Sequence, residues 1–205
     1  MTSVDKIMKG KQSFKKEMDK ELSREDSDKA WKDAYSRLEK MFAAYQNLSK
    51  GVRAHTDSYI FPAAAIYLAI KEVAPDKAFE IMRVVMKEKT EKIGAMLAGM
   101  MKIPGFKSFF LKMWDTMSHK NFGPTAGFSN VFYPKEKDRF RMDITGCPYH
   151  KYLTELGCPE INILFCENDV YTYGNLPGMK FIRTKTIGAG DELCDFCMER
   201  DKIHL

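Results

Sequence analysis

No cysteine precedes residue 147 of this 205-residue chain, and no apolar run approaches the length of a membrane span. The longest such run, Ile60 to Ile70, is broken by Pro62 and stops at Lys71-Glu72, where a spanning helix needs ~20 apolar residues. A membrane partner is therefore not expected. The opening stretch MTSVDKIMKGKQSFKKEMDKEL has basic residues but neither a continuous hydrophobic stretch nor a small-residue cleavage site. No secretory signal is expected from it, and the protein is read as cytoplasmic. Internal repeats and low-complexity linkers are lacking as well, so residues 1–205 are read as one domain.

Charge of one sign is also missing over most of the length. Residues 1–140 carry 26 Lys+Arg against 18 Asp+Glu, and residues 141–205 carry 7 against 10. The lysines of the basic part alternate with acids, as in Lys15-Lys16-Glu17 and Lys87-Glu88-Lys89, with no aromatic-rich basic stripe. Solvated helix faces, and no nucleic-acid partner, are the expectation. What is present is enough to build a core: 44% apolar and 12% aromatic residues, with 14 Met.

The period of the apolar pattern divides the chain. Before residue 121 it is helical. Trp31, Ala34, Leu38, Met41, Phe42 and Tyr45 form a stripe after Ser27, a candidate N-cap. Pro62 suits the first turn of a second helix and Pro75 that of a third, with Phe79, Met82, Val85, Met86, Ile93, Met96 and Leu97 predicted inward. Phe106 to Met117 is a fourth, with Phe109, Phe110, Met113 and Trp114 as its apolar residues. After Asn121 the period becomes two: Val131–Tyr133 and Arg139–Ile144 read as strands, the latter with Phe140, Met142 and Ile144 on one face. A helix from Pro148 to Leu156 ends at Gly157, and residues 179–187 and 192–198 read as a hairpin joined by Gly188-Ala189-Gly190-Asp191. The expected fold class is α+β, a helical layer over residues 1–120 packed on a small antiparallel sheet with short helices and a terminal hairpin over 121–205.

The five cysteines, Cys147, Cys158, Cys166, Cys194 and Cys197, all fall in the acidic last third. An odd number without an export signal argues for reduced thiols. With Pro148 at the first helical position, Cys147 occupies the N-cap, where free N–H groups favour a thiolate; the alternative is a small residue closing a turn. His150 lies three residues on, either a proton shuttle or an exposed helix residue. Cys166 and Asp169, three apart, share one side of a helix and offer a nucleophile with a proton carrier, or a buried thiol and a capping acid. Cys194-x-x-Cys197 has zinc-like spacing, but on a strand the two thiols point to opposite faces. A Cys147, Cys166 and Cys194 thiolate site for a metal such as zinc remains an alternative to a cofactor-free site.

The run DITGCPYHKYLTELGCPEINILFCENDVYTYGNLPGMKFIRTKTIGAGDELCDF resembles the L-2-amino-thiazoline-4-carboxylic acid hydrolase family in its D-I-T-x-C-P-Y, L-G-x-P-E, F-C-x-x-D, R-T-x-T and C-D-F elements and their order. PAAAIYLAIKE resembles the family's helical half. The resemblance covers roughly residues 60–200. It implies a hydrolase that opens a cyclic isothiourea, with Cys166, Asp169, Cys147 and Cys194 as the catalytic set and Arg183, Tyr149, Glu160 and Asp195 on the substrate side. Arg183 would clamp a substrate carboxylate, or else bridge to Asp195 across the hairpin. Cys158, Cys197 and His150 fall outside the pattern. A small-molecule substrate is the implied partner, and a homodimer is left open. The competing class is a small-molecule- or metal-binding sensor or carrier domain of the 4-vinyl reductase type. Convergence of Cys166, Asp169 and Arg183 on one enclosed cavity favours the enzyme; scattered thiols around a broad apolar cavity favour the sensor.

Overall fold

The computed structural model describes residues 4–201. Helices α1 (Val4–Lys9), α2 (Gln12–Glu21), α3 (Arg24–Ala44), α4 (Lys50–His55), α5 (Phe61–Val73), α6 (Pro75–Met100) and α7 (Phe106–Asn121) come first. They are followed by strands β1 (Ser129–Phe132) and β2 (Arg139–Gly146), helices α8 (Pro148–Glu155) and α9 (Asn162–Tyr173), and strands β3 (Met179–Ile182) and β4 (Cys194–Arg200). The strands form one antiparallel sheet in the order β1-β2-β4-β3. This is the α+β class expected from the change of period. Among the described residues no helix is long and apolar enough to cross a membrane.

Two apolar clusters hold the chain together. One unites α1–α3, α5, α6 and α8 with Ile161 and Leu164; the other unites α7 with the inner face of the sheet. That face carries Phe140, Met142 and Ile144 from β2 and Cys194, Phe196 and Met198 from β4, all buried. The pairs Phe140–Met198, Met142–Phe196 and Ile144–Cys194 stand opposite each other. Two-residue alternation thus gives one packed face, and Cys194 and Cys197 fall on opposite faces as expected. Of the 13 methionines among the described residues nine are buried, and four of these, Met101, Met142, Met179 and Met198, belong to the cluster built on the sheet, the last three being strand residues.

Several boundaries differ from the sequence reading. Helix α3 begins one turn early: Ser23 is its N-cap, accepting from the Asp26 amide at 3.1 Å, while Ser27 is buried and donates to Asp19 at 2.6 Å. Both serines fit a cap, and the acidic first turn Glu25-Asp26 settles it for Ser23. Pro62 does stand in the first turn of α5, as expected, but that helix does not begin afresh there. The chain is helical from Lys50 onward, capped by Ser49, and widens into a π-turn over Thr56–Ile60 before α5. Phe61 N–H reaches back to Thr56 O, and the Ser58 carbonyl, which would face the missing N–H of Pro62, accepts from Lys11 Nζ at 2.8 Å instead. Met96 (59% exposed) points to solvent and Ile93 (38%) lies on a cavity lining, although the periodicity places both inward; Phe109 is also exposed (57%).

The terminal hairpin is shorter than expected, β3 ending at Ile182 and β4 starting at Cys194. Asp195 explains the break. Its carboxylate accepts from Thr184 N (2.7 Å), Thr184 Oγ1 (2.6 Å) and Lys185 N (2.6 Å), so these backbone groups leave the strand ladder. Residues 183–193 become a loop with a 3-10 turn at Ile187–Ala189 and Gly190 at φ +100°.

Helix α9 is positioned by α6, and Gly94 is the point of closest approach: a Cβ there would stand 2.6 Å from the Tyr171 carbonyl oxygen. Gly94→Ala is expected to force the helices apart at a cost of about 1–3 kcal/mol. At ~2–4 °C per kcal/mol for a chain of this size, a melting curve should show a drop of several degrees. An unchanged midpoint would contradict this packing.

Candidate active site

Between the two apolar clusters lies a cavity of about 600 Å³. Helix α9 forms one wall, with Asn162, Phe165, Cys166, Asp169 and Tyr173 at helical spacing along it. Cys147 and Tyr149 come from the start of α8, Arg183 from the loop after β3, and Cys194 and Phe196 from β4. His55, Ser58 and Tyr59 around the π-turn and Val85, Met86 and Thr90 of α6 also line it, with Lys11 and Lys89. The five residues Cys147, Cys166, Asp169, Arg183 and Cys194, from two helices, a loop and a strand, therefore line one cavity. Glu160 and Asp195 do not. Glu160 accepts from Tyr67 Oη (2.7 Å) and Lys71 Nζ (2.6 Å), and Asp195 holds the 184–185 backbone.

Arg183 makes the strongest polar contacts of the site. Nη1 donates to Asp169 Oδ2 at 2.9 Å and Nη2 to the Cys166 carbonyl at 2.8 Å. Its side chain is 7% exposed, and its guanidinium lies 5.7 Å and 5.5 Å from the ring centres of Phe181 and Phe196. The bridge to Asp195 considered from the sequence does not form, because Asp195 points to the other face of the sheet. With two edges engaged, Arg183 acts here on Asp169 and on the C-terminal half of α9.

Burial governs the titration of the cavity. Asp169 is pushed up to about 6 by desolvation, against the pull of Arg183. The thiols move further from ionisation: Cys166 rises to about 12 by burial, only partly opposed by Arg183, and Cys147 to about 11. Cys147 does occupy the N-cap of α8, and the amides of His150 and Tyr149 do favour its thiolate. Desolvation outweighs them, so the thiolate expected from the cap position is not the resting form at neutral pH. Cys194 is also raised by burial, although the Ile187 amide donates to its sulfur at 3.2 Å. The 187–189 turn covers Cys166 closely, since a Cβ on Gly188 would stand 2.7 Å from its sulfur.

Among the described residues no three His, Cys, Asp or Glu side chains are arranged to hold a metal ion. Cys147, Cys166 and Cys194 share the cavity without forming the ligand set of the zinc alternative.

His55 is the cavity residue that motif reading missed. Its Nε2 lies 2.9 Å from the Asn121 carbonyl oxygen and its Nδ1 3.0 Å from Tyr149 Oη. Burial lowers its pKa, so the ring is neutral. The sequence offers only one signal for it, the helical step from His55 to Tyr59 ahead of Pro62. At the rim, Lys11 is lowered to about 8 by burial and by the neighbouring Lys89. His150, by contrast, is exposed on α8, next to Asn162 Nδ2 at 3.4 Å.

Because Arg183 opposes the effect of burial on Asp169, its removal has a definite sign. In Arg183→Gln the Asp169 carboxyl is expected to titrate above its starting value of about 6. Carboxyl-carbon chemical shifts followed against pH would show this as an upward-moved midpoint, and a downward move would exclude the pairing described here.

A comparison with curated proteins gave no match. Among solved structures, a mutant H-NOX protein from K. algicida, in the unliganded Fe(II) state, aligns with a TM-score of 0.37 at 11% identity, over 98% of this chain and 97% of that one. A second chain, from work on heme distortion in the H-NOX family, aligns at 0.30 and 13%, over 80% and 91%. Likeness at this level carries no argument about the site. The sequence profile of the L-2-amino-thiazoline-4-carboxylic acid hydrolases matches residues 53–198, a span that includes every cavity residue named above except Lys11. The chain belongs to the L-2-amino-thiazoline-4-carboxylic acid hydrolase family.

Proposed function

We propose that the cavity hydrolyses a cyclic isothiourea of the 2-amino-thiazoline-4-carboxylate type, with Cys166 as nucleophile and Asp169 as the group that carries its proton. The observation behind this is that Cys166, Asp169 and Arg183 line one cavity between the layers in a chain of this hydrolase family. A sensor or carrier would not require a buried carboxyl held near neutrality by a dedicated arginine.

The steps balance without a cofactor. As the Cys166 sulfur adds to the amidine carbon, its proton passes to the Asp169 carboxylate. The ring carbon–sulfur bond then breaks, and the departing sulfur takes that proton from Asp169. Water adds to the resulting enzyme-bound isothiourea carbon and gives a proton to Asp169. Release of the Cys166 sulfur, which takes the proton back, leaves a urea, N-carbamoyl-cysteine. Arg183 positions Asp169 and keeps it mostly ionised at neutral pH. The substrate carboxylate, for which Arg183 has two edges already engaged, is met by Lys11 and Lys89 on the cavity lining. Tyr149 lines the amidine end.

A second reading is favoured by one observation, the rise of Cys166 to about 12: water attacks directly, Asp169 taking its proton, and the thiols only shape the cavity. The two separate cleanly. In the covalent reading Cys166→Ser and Cys166→Ala both lose ring opening by about 10³-fold or more, and an adduct on Cys166 appears by mass spectrometry after rapid quenching of the wild type. Retention of activity in Cys166→Ala, with loss in Asp169→Asn, selects direct water attack. Cys197→Ser, on the other face of the sheet, should leave the rate within about twofold. If neither Cys166 nor Asp169 matters to ring opening, the hydrolase assignment to this cavity is wrong.

The pH profile follows from the same residue. Asp169 must be ionised to accept a proton, so kcat/KM should fall as pH drops through about 6, well above the range of an ordinary aspartate. An acid limb near 4 would show that another group does this work.

A further inference from the structure

We propose that Tyr149 Oη is held as a hydrogen-bond acceptor on the cavity wall, so that the site selects ligands presenting an N–H there, such as the amino end of an isothiourea. Isosteres with a methyl or a carbonyl oxygen at that point are rejected. This rests on the isothiourea reading of the cavity and adds the group that distinguishes such a ligand from its oxo analogue.

The argument runs through a fixed proton. A backbone carbonyl can only accept, so the 2.9 Å contact between Asn121 O and His55 Nε2 requires the hydrogen on Nε2. Burial lowers the His55 pKa, which keeps a second proton off the ring. Nδ1 is therefore a bare lone pair. Tyr149 Oη, 3.0 Å from it, must turn its own proton toward Nδ1, and what remains on the oxygen is acceptor capacity. Burial raises the Tyr149 pKa and so keeps the hydroxyl protonated. The groups around it share this character. Asp169 accepts when ionised, and the buried Asn162 carbonyl oxygen has no protein partner. Arg183, the obvious donor, is directed at Asp169 and Cys166.

The bland reading is a brace: His55 ties α4 to α7 and α8, packing edge-on against Tyr149 and Phe128. A brace alters stability and leaves ligand preference alone, so preference is the quantity to measure. The probes are 2-amino-thiazoline-4-carboxylate, its 2-methyl analogue and 2-oxothiazolidine-4-carboxylate. Binding of each is followed by calorimetry to the full chain carrying Cys166→Ser, or Asp169→Asn where the Cys166 variant still turns over. The amino compound should bind at least about tenfold tighter than the other two. Tyr149→Phe should reduce its advantage over the methyl compound by about tenfold. His55→Phe frees the hydroxyl to donate and should raise the affinity of the oxo compound relative to the methyl one. If His55→Phe does not fold, the Tyr149→Phe ratio decides alone. Equal affinity for all three probes, no binding by any, or an unchanged ratio in Tyr149→Phe overturns the proposal. Turnover is read separately on wild type. Ring opening with an unchanged ratio defeats this inference and leaves the hydrolase reading standing, whereas a Tyr149-dependent preference without turnover does the reverse.

Discussion

A guanidinium that is 7% exposed must be met by acceptors, and the way this molecule meets Arg183 organises everything near it. The carboxylate comes from α9 and the carbonyl from the same helix one turn earlier, while the arginine itself leaves the end of β3. The ion pair therefore fastens α9 of the helical layer to the edge of the sheet, across the seam where the cavity opens. Removing one partner of such a pair leaves a buried charge uncompensated, typically at about 3–5 kcal/mol. The same contact sets the chemistry: burial alone would hold Asp169 neutral at physiological pH, and Arg183 alone would hold it fully ionised. The balance near 6 is what a group that both takes and returns a proton requires.

What the sequence makes legible follows from what periodicity encodes. Alternation on β2 places Phe140, Met142 and Ile144 on one face because a strand has only two faces, and the neighbouring β4 repeats the pattern with Cys194, Phe196 and Met198. Helix ends are less determined. Ser23 and Ser27 are one turn apart and satisfy the same rule; the acidic turn Glu25-Asp26 favours Ser23, and the hydrogen bonds of Ser27 with Asp19 and Lys15 take the other serine out of contention. Proline is ambiguous in a similar way. Pro62 reads as a start signal, yet the chain absorbs it inside a helix by widening one turn and borrowing a lysine from residue 11 for the freed carbonyl. A side chain fifty residues away in sequence supplied that donor, which no local window contains.

The site shows the same division. Motif spacing places Cys166 and Asp169 on one side of α9, whereas only the family resemblance groups Arg183 and Cys194 with them. Glu160 and Asp195 belong to the same short motifs but serve the scaffold, the first by joining α5 through Tyr67 and Lys71, the second by pinning the loop that carries Arg183. A motif therefore marks a segment in which some residues face the cavity and others hold that segment in place. His55 carries no motif at all; its role comes from the Asn121 carbonyl and from Tyr149, both of which reach it through tertiary packing.

The thiols pose the sharpest energetic question. The N-cap of α8 offers Cys147 a helix dipole worth roughly 0.3–1 kcal/mol, whereas a rise of about two units from the ordinary thiol value corresponds to roughly 3 kcal/mol. Desolvation wins for Cys147, and by more for Cys166. An empty cavity is thus unreactive toward ordinary electrophiles, and activation has to arrive with the ligand. In the proposed covalent reading a protonated isothiourea would supply it: a unit positive charge about 4 Å from the sulfur, at an effective dielectric of about 20, favours the thiolate by about 4 kcal/mol. That is roughly three pKa units, enough to bring Cys166 from about 12 to within reach of Asp169 as proton acceptor. In that reading the charge that makes the amidine carbon electrophilic would be the same charge that makes the sulfur nucleophilic. A neutral oxo analogue brings neither, even where it fits the cavity.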